Sequence, residues 1–228
     1  MSTRGCALAL LYVAAVLACM AHADDVIIPP WRGMPGSTVQ EWDFTTDANP
    51  ALPENYANPY GTPSATISLG FAASGYWETY PPIPGGRVGV WDIGRGIDEE
   101  DPAIGRITLV IPNTVNTDPT SYKEIWVQVT YYKDLTMAPI VEVPGGVLLG
   151  GESRRIEIVP MWGEWWLDQT MWRIEPNPTQ ETILITGHDW GSMIDQVVVD
   201  TICIPEPATM SLVGVGCVLL FARRRRAD

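Results

Sequence analysis

Aromatic and acidic side chains concentrate in one short segment, residues 161–172. Three of the ten tryptophans of the chain fall within five residues there, and Trp172 follows six positions after the third. Aromatic rings can stack on the apolar face of a pyranose, while nearby carboxylates can bind its hydroxyls. A sugar-binding platform is therefore predicted, with the members Trp162, Glu164, Trp165, Trp166 and Asp168.

The two adjacent tryptophans of this segment cannot serve the same role if the segment is a strand. Neighbouring residues of a β-strand face opposite sides of the sheet. One of Trp165 and Trp166 is therefore expected in the core and the other outside it. A tryptophan-rich core is the alternative for all of them, because indole rings bury large areas.

A second acidic segment, residues 92–101, places five carboxylates around two glycines. Calcium takes about six to eight oxygen ligands, often from one loop. A structural calcium site, the one cofactor that the sequence suggests, is predicted from Asp92, Asp98, Glu99 and Asp101. The spacing is not that of an EF-hand, and a solvated surface loop is the alternative. A further grouping would join Asp43 to Asp195 or Asp200.

Catalytic groupings are sparse, and no catalytic residue is predicted. Between residues 24 and 204 the chain has one histidine, His188, and one cysteine, Cys203. That composition disfavours a zinc site, and the serine near His188 lacks a nucleophile elbow. A carboxylate pair for glycoside hydrolysis is left open, because such pairs can form across strands.

The charge of the body excludes one class of partner. The chain has 27 acidic and 14 basic residues; removing those of the two termini leaves 25 and nine for residues 24–204, a net charge near −16. Nucleic-acid binding needs a basic face, so it is not expected. A single cysteine also leaves the body without an internal disulfide.

The elements that must position these residues are predicted to be strands. Glycine (21) and proline (20) are spread along the chain and leave few windows for a helix. Apolar residues alternate instead, as in Ile67–Phe71, Ile107–Ile111 and Ile125–Tyr131. About ten short strands are expected, forming an antiparallel β-sandwich for which a jelly roll is the first choice. Predicted strands include Arg87–Ile93, Val141–Leu149, Trp165–Ile174, Thr182–Gly187 and Ile194–Ile202, and residues 47–63 are predicted to be one long loop.

The N-terminus has the features of a secretory signal peptide. Arg4 precedes an apolar core, and Ala21 and Ala23 supply small residues at the two positions that signal peptidase reads. Cleavage after Ala23 would remove residues 1–23. Without the C-terminal segment, residues 205–228, the body is then residues 24–204, which are predicted to form a single β-sandwich domain outside the cytoplasm.

The C-terminus combines three features in order. Pro205-Glu206-Pro207 precedes an apolar run at residues 208–222, and Arg223, Arg224, Arg225 and Arg226 follow it. Fifteen helical residues span about 22 Å, short of a bilayer core of about 30 Å, so the predicted transmembrane helix is a weak anchor. The arginines would hold its end in the cytoplasm.

This tail resembles the PEP-CTERM sorting signal. The resemblance implies export, transient membrane anchoring, processing by a protease of the exosortase type, and a place at the cell surface or in the exopolysaccharide matrix of a biofilm. The strand at residues 194–200 is similar to the closing strand of galactose-binding-like jelly-roll domains, which implies sugar binding and a structural calcium ion.

These features together predict an exported all-β protein whose body is a non-catalytic module for polysaccharide binding or matrix structure. Two alternatives stay open. The body could be a small β-sandwich glycoside hydrolase or polysaccharide lyase, or a purely structural envelope protein without a small ligand.

Overall fold

A computed structural model describes residues 27–96, 103–113 and 121–204. These residues form twelve β-strands and no helix, which confirms the all-β prediction. The strands are β1 (Ser37–Trp42), β2 (Asn55–Ala57), β3 (Ser64–Ser68), β4 (Gly75–Tyr80), β5 (Arg87–Gly94), β6 (Arg106–Pro112), β7 (Tyr122–Lys133), β8 (Ile140–Glu142), β9 (Gly146–Val159), β10 (Gly163–Ile174), β11 (Gln180–Thr186) and β12 (Ser192–Ile204).

The strands form two antiparallel sheets that pack as a sandwich. The larger sheet has eight strands in the order β2-β1-β12-β7-β10-β9, with β5 joined to β12 and β4 to β5. The smaller sheet has the order β3-β6-β11-β8. One cluster of buried apolar residues contains members of both sheets, so their inner faces share a core. The sandwich prediction is confirmed, while the jelly-roll assignment and the galactose-binding-like resemblance stay predictions.

The period-two alternation places the core between the sheets. Ile125, Val127 and Val129 of β7 face Ile107 of β6 and Ile183 of β11, and all five are fully buried. Burial of one such side chain contributes about 1.5–3 kcal/mol. Because successive side chains of a strand face opposite sides, this apolar row also fixes the outward direction of every intervening residue.

The outer face of the larger sheet is covered as well, which sequence alternation alone did not predict. At one end, Trp165 and Tyr132 pack with Val90 and Met193 in a second buried cluster beneath β4 and β5. The guanidinium of Arg87 lies 4.9 Å from the centroid of the Trp165 ring. The central strands are therefore buried on both faces.

At the other end of that face, residues 27–36 cross the sheet. The amide of Gln128 on β7 binds the backbone of Ile27 in both directions, at 2.7 and 3.0 Å. Arg32 makes two hydrogen bonds of 2.6 Å to the carboxylate of Asp200 on β12. Asp200 is fully buried, so this ion pair anchors the segment to the sheet.

Three strand predictions need correction. Val141–Leu149 is two strands, β8 and β9, because the turn at Pro144-Gly145 separates them. Residues 47–63 contain the short strand β2. The alternating apolar pattern of Ile67, Leu69 and Phe71 extends past the end of its strand, because β3 ends at Ser68. Leu69 and Phe71 lie beyond β3, and their exposed fractions are 45% and 43%.

The Arg32–Asp200 pair yields a prediction on stability. Arg32→Ala leaves a buried carboxylate without its partner, which costs about 3–5 kcal/mol of unfolding free energy near neutral pH. Burial raises the pKa of Asp200 and Arg32 opposes that rise. A carboxyl group with a raised folded-state pKa favours the folded state only while protonated, so the loss should shrink as the pH falls toward the unfolded pKa of about 3.9.

Denaturant unfolding of the wild-type protein and of the Arg32→Ala variant at several pH values measures this loss. The matched control is Arg155→Ala, which removes an arginine from an exposed pair with Glu164 and should change the midpoint much less. Equal midpoints for the two variants, or a loss that grows at acid pH, would contradict the assignment.

Candidate functional site

The residues of the predicted sugar platform divide between the two faces of β10. Trp166 lies opposite Tyr131 and Asp168 opposite Val129, and both of those β7 residues belong to the inner core. Trp165 lies opposite Tyr132 in the outer cluster and is 1% exposed. The prediction that one of the adjacent tryptophans enters a core is confirmed, and Trp165 is that residue.

The inner face of β10 continues past the region that the smaller sheet covers. Its side chains are half-buried, and those of the neighbouring strand β9, such as Arg155 and Ser153, are exposed. The smaller sheet ends on this side with β8, which has only three residues. The inner-facing side chains of β10 form a row that we call the β10 platform: Glu164, Trp166, Asp168, Thr170 and Trp172.

Hydrogen bonds within β10 hold both platform tryptophans. The indole N–H of Trp166 donates to Glu164 at 2.9 Å, and that of Trp172 donates to Thr170 at 2.9 Å. Each partner lies two residues before its tryptophan, on the same face of the strand. Both rings also rest against the inner core. The indole N–H groups are thus satisfied within the protein, and the rings are positioned before any ligand arrives.

Charged groups surround the first of these rings. The carboxylate of Glu164 accepts a hydrogen bond of 2.8 Å from Arg155, and the bonds from Trp166 and Arg155 lower the pKa of Glu164. The ammonium of Lys133 lies 4.7 Å from the centroid of the Trp166 ring. A sugar that stacks on this ring would meet Lys133 and displace or bind its ammonium group.

Asp168 is the central polar group of the platform. Its Oδ1 accepts hydrogen bonds from the hydroxyl of Ser153 and, at 3.3 Å, from that of Tyr131. Burial raises the pKa of Asp168, and it raises the pKa of Tyr131 to about 12. Within the described part of the chain nothing donates to Asp168 Oδ2, which leaves this oxygen as an acceptor for a ligand hydroxyl.

Two of the predicted members lie off the platform. Trp165 is on the opposite face and packs in the outer buried cluster. Trp162 lies in the turn between β9 and β10 and is 42% exposed, at the end of the row rather than within it. Trp172 was not among the predicted members, although its spacing of six residues from Trp166 is even and therefore predicts the same face.

Of the four predicted calcium ligands, Asp92 alone belongs to the described residues. Its carboxylate accepts hydrogen bonds from the backbone N–H groups of Ser74 and Gly94, each at 3.0 Å, and from the Ser74 hydroxyl. Asp98, Glu99 and Asp101 lie outside the described residues. Over residues 27–96, 103–113 and 121–204, no three histidine, cysteine or acidic residues are grouped to hold a metal ion.

The alternative acidic grouping is not formed as predicted. Asp195 binds Arg87 at 2.8 Å and Asp200 binds Arg32, while Asp43 accepts a hydrogen bond from Gln196. These bonds direct the first two carboxylates to arginines on the outer face of the larger sheet.

The loop containing His188 has the contacts of a structural turn. The hydroxyl of Ser192 accepts from the backbone N–H of His188 at 3.2 Å and donates to the carbonyl of Met137 at 3.1 Å. Ser192 is therefore engaged with backbone groups.

Comparison with known proteins identifies the C-terminal tail. The PEP-CTERM protein-sorting motif matches residues 204–226, which confirms the sorting signal predicted from Pro205, Glu206, Pro207 and the four arginines. The motif indicates an exported protein that is anchored at its C-terminus and processed by an exosortase. No curated protein matches the chain.

The terminal segments themselves lie outside the described residues. This holds for the cleavage positions Ala21 and Ala23 and for the predicted membrane helix at residues 208–222. In the part of the chain that is described, no helix has the length and apolar character needed to cross a membrane.

The opposite faces of Trp165 and Trp166 yield a second prediction on stability. Trp165→Ala should lower the unfolding free energy by about 3–5 kcal/mol, because the substitution opens a cavity in the outer cluster. Trp166→Ala should cost clearly less, because half-buried atoms lose fewer contacts. Denaturant unfolding of the two variants gives the comparison, and a larger loss for Trp166→Ala would show that the faces are assigned the wrong way round.

Proposed function

We propose that the body, residues 24–204, is a non-catalytic polysaccharide-binding module of the cell surface or extracellular matrix. Export and exosortase processing follow from the sorting motif. Carbohydrate binding is proposed from the β10 platform, and one observation carries it: two tryptophans and an acceptor carboxylate lie on one half-buried strand face.

The spacing of the platform suits an extended chain of sugars. Trp166 and Trp172 are six residues apart on one strand, which corresponds to about 20 Å at about 3.3 Å per residue. That length accommodates several sugar rings, with a ring stacked at each end. Asp168 and Thr170 lie between the tryptophans and supply acceptors for hydroxyl groups. The strongly acidic body would repel a polyanion, so the expected ligand is a neutral polysaccharide.

The same spacing argues against hydrolysis at this site. Glycosidases hold their two carboxyl groups about 5–9.5 Å apart. Glu164 and Asp168 are four residues apart on β10, about 13 Å between Cα atoms. Glu164 is further held by Arg155 and Trp166, and Asp168 by Ser153 and Tyr131. A binding role therefore fits these carboxylates better than an acid–base pair.

Affinity electrophoresis of the purified full chain tests the proposal, with gels containing the neutral exopolysaccharide of the producing cells. The wild-type protein should be retarded. Trp166→Ala and Trp172→Ala should each weaken binding by about 2 kcal/mol or more, the cost typical of an aromatic binding hot spot.

The matched control is Trp190→Ala, which removes a tryptophan that is 68% exposed and lies in the loop before β12. The Trp190→Ala variant should migrate like the wild type, both in gels that contain calcium and in gels that contain a chelator. Equal retardation of all three variants would show that the polysaccharide binds at a site other than the β10 platform. No retardation of the wild type would favour a purely structural role, and release of sugar fragments would favour the enzyme alternative.

A further inference from the structure

One end of the inner core contains charged and amide side chains in place of apolar ones. The apolar row of β6 ends at Ile111 and is followed on the same face by Asn113. The rows of β7 and β11 are preceded in the same way by Lys123 and Glu181. Lys123 and Glu181 are 0% exposed and Asn113 is 5% exposed. Their side chains meet between the two sheets.

The amine of Lys123 contacts both other groups. Its Nζ donates to Asn113 Oδ1 at 2.8 Å and lies 3.1 Å from Glu181 Oε1. A carbonyl bond is about 1.23 Å long, so Cγ of Asn113 is at most about 4 Å from the amine. The amide nitrogen of Asn113 points away from the lysine and donates to Asn177 Oδ1 and the Pro178 carbonyl, each at 2.7 Å.

Proton transfer within this cluster would remove both of its buried charges. A buried ion pair loses hydration that its own attraction only partly replaces. Burial raises the pKa of Glu181 to about 7, although Lys123 opposes the rise. Neither carboxylate oxygen of Glu181 accepts a well-directed hydrogen bond from the described residues. Transfer of a proton from lysine to Glu181 would leave a neutral amine, which is nucleophilic, beside an amide carbonyl.

We propose that Lys123 and Asn113 form an intramolecular isopeptide bond, with Glu181 carrying the proton. The lone pair of the neutral Nζ attacks Cγ of Asn113, and a C–N bond forms. The bond from Cγ to Nδ2 then breaks, and Nδ2 leaves as ammonia with a proton from the Glu181 carboxyl group. The resulting Glu181 carboxylate takes up the surplus proton of the acylated Nζ, from which it lies 3.1 Å away. The net reaction converts a lysine amine and an asparagine amide into a secondary amide and ammonia, so no oxidant or other reactant is needed.

The fold supplies what such a reaction requires. Reactants held in contact gain a large advantage over the same groups in solution, and the buried site excludes competing water. The bond would tie the end of β6 to the start of β7, next to Cys203, whose sulfur lies 3.4 Å from Lys123 Nζ. It would give an exported body that lacks an internal disulfide a covalent link of another kind.

Tryptic peptide mapping of the denatured full chain tests the proposal directly. The chain has two lysines, Lys123 and Lys133. An acylated Lys123 resists trypsin, so the bond should yield one peptide, residues 107–133, lighter than its sequence mass by one ammonia. Cleavage after Lys133 in the same digest shows that the protease was active.

Variants distinguish formation of the isopeptide bond from other reactions that release ammonia. Glu181→Gln keeps the shape of the side chain but cannot carry the proton, and it should restore separate peptides 107–123 and 124–133 at full mass. Glu142→Gln, an exposed substitution on β8, should leave the joined peptide unchanged.

Two results would overturn the proposal. One is recovery of unmodified peptides 107–123 and 124–133 from the wild-type chain. The other is loss of ammonia from a peptide that still ends at Lys123, which is the signature of a succinimide at Asn113. A joined peptide that persists in Glu181→Gln would refute the role given to Glu181.

Discussion

The unequal width of the two sheets is the constraint on which the candidate site depends. Apolar burial between the sheets ends where the smaller sheet ends, at the three-residue strand β8. The larger sheet continues through β10 to β9, whose inner-facing side chains are exposed. The inner face of β10 is thus partly core and partly surface. Trp166 and Trp172 can rest against the core and still present ring area to a ligand.

The cover on the outer face completes this arrangement. The β4–β5 hairpin lies over one part of the larger sheet and the segment at residues 27–36 over another. On that face, the carboxylates of Asp195 and Asp200 form ion pairs with Arg87 of the hairpin and Arg32 of the segment. The inner face of β10 and β9 is therefore a place where the larger sheet presents partly exposed aromatic side chains.

The fold class was predictable from the sequence because period-two alternation and frequent turns leave few other structures. The same alternation, applied to the polar and aromatic residues as well, could have identified the strand face on which each of them lies. It places Trp172 with Trp166. It also places Asn113 two positions after the last apolar residue of its row, and Lys123 and Glu181 two positions before the first, all on the inner faces of their strands.

Other features required the tertiary structure. Nothing local to β10 shows which of two opposite faces is inner, so Trp165 and Trp166 could not be told apart. The coverage of the outer face depends on contacts between residues more than one hundred positions apart, such as Ile27 with Gln128. The width of the smaller sheet depends on β8, a strand too short to give a periodic signal.

Oxidative footprinting of tryptophans in the presence and absence of the neutral exopolysaccharide tests whether the β10 platform is the binding site. Hydroxyl radicals label exposed indoles, and peptide mass spectrometry reports each position separately. Labelling of Trp166 and Trp172 should fall when polysaccharide is added, while that of Trp190 should stay constant. Unchanged labelling of both platform tryptophans under conditions in which the polysaccharide is bound would contradict this assignment.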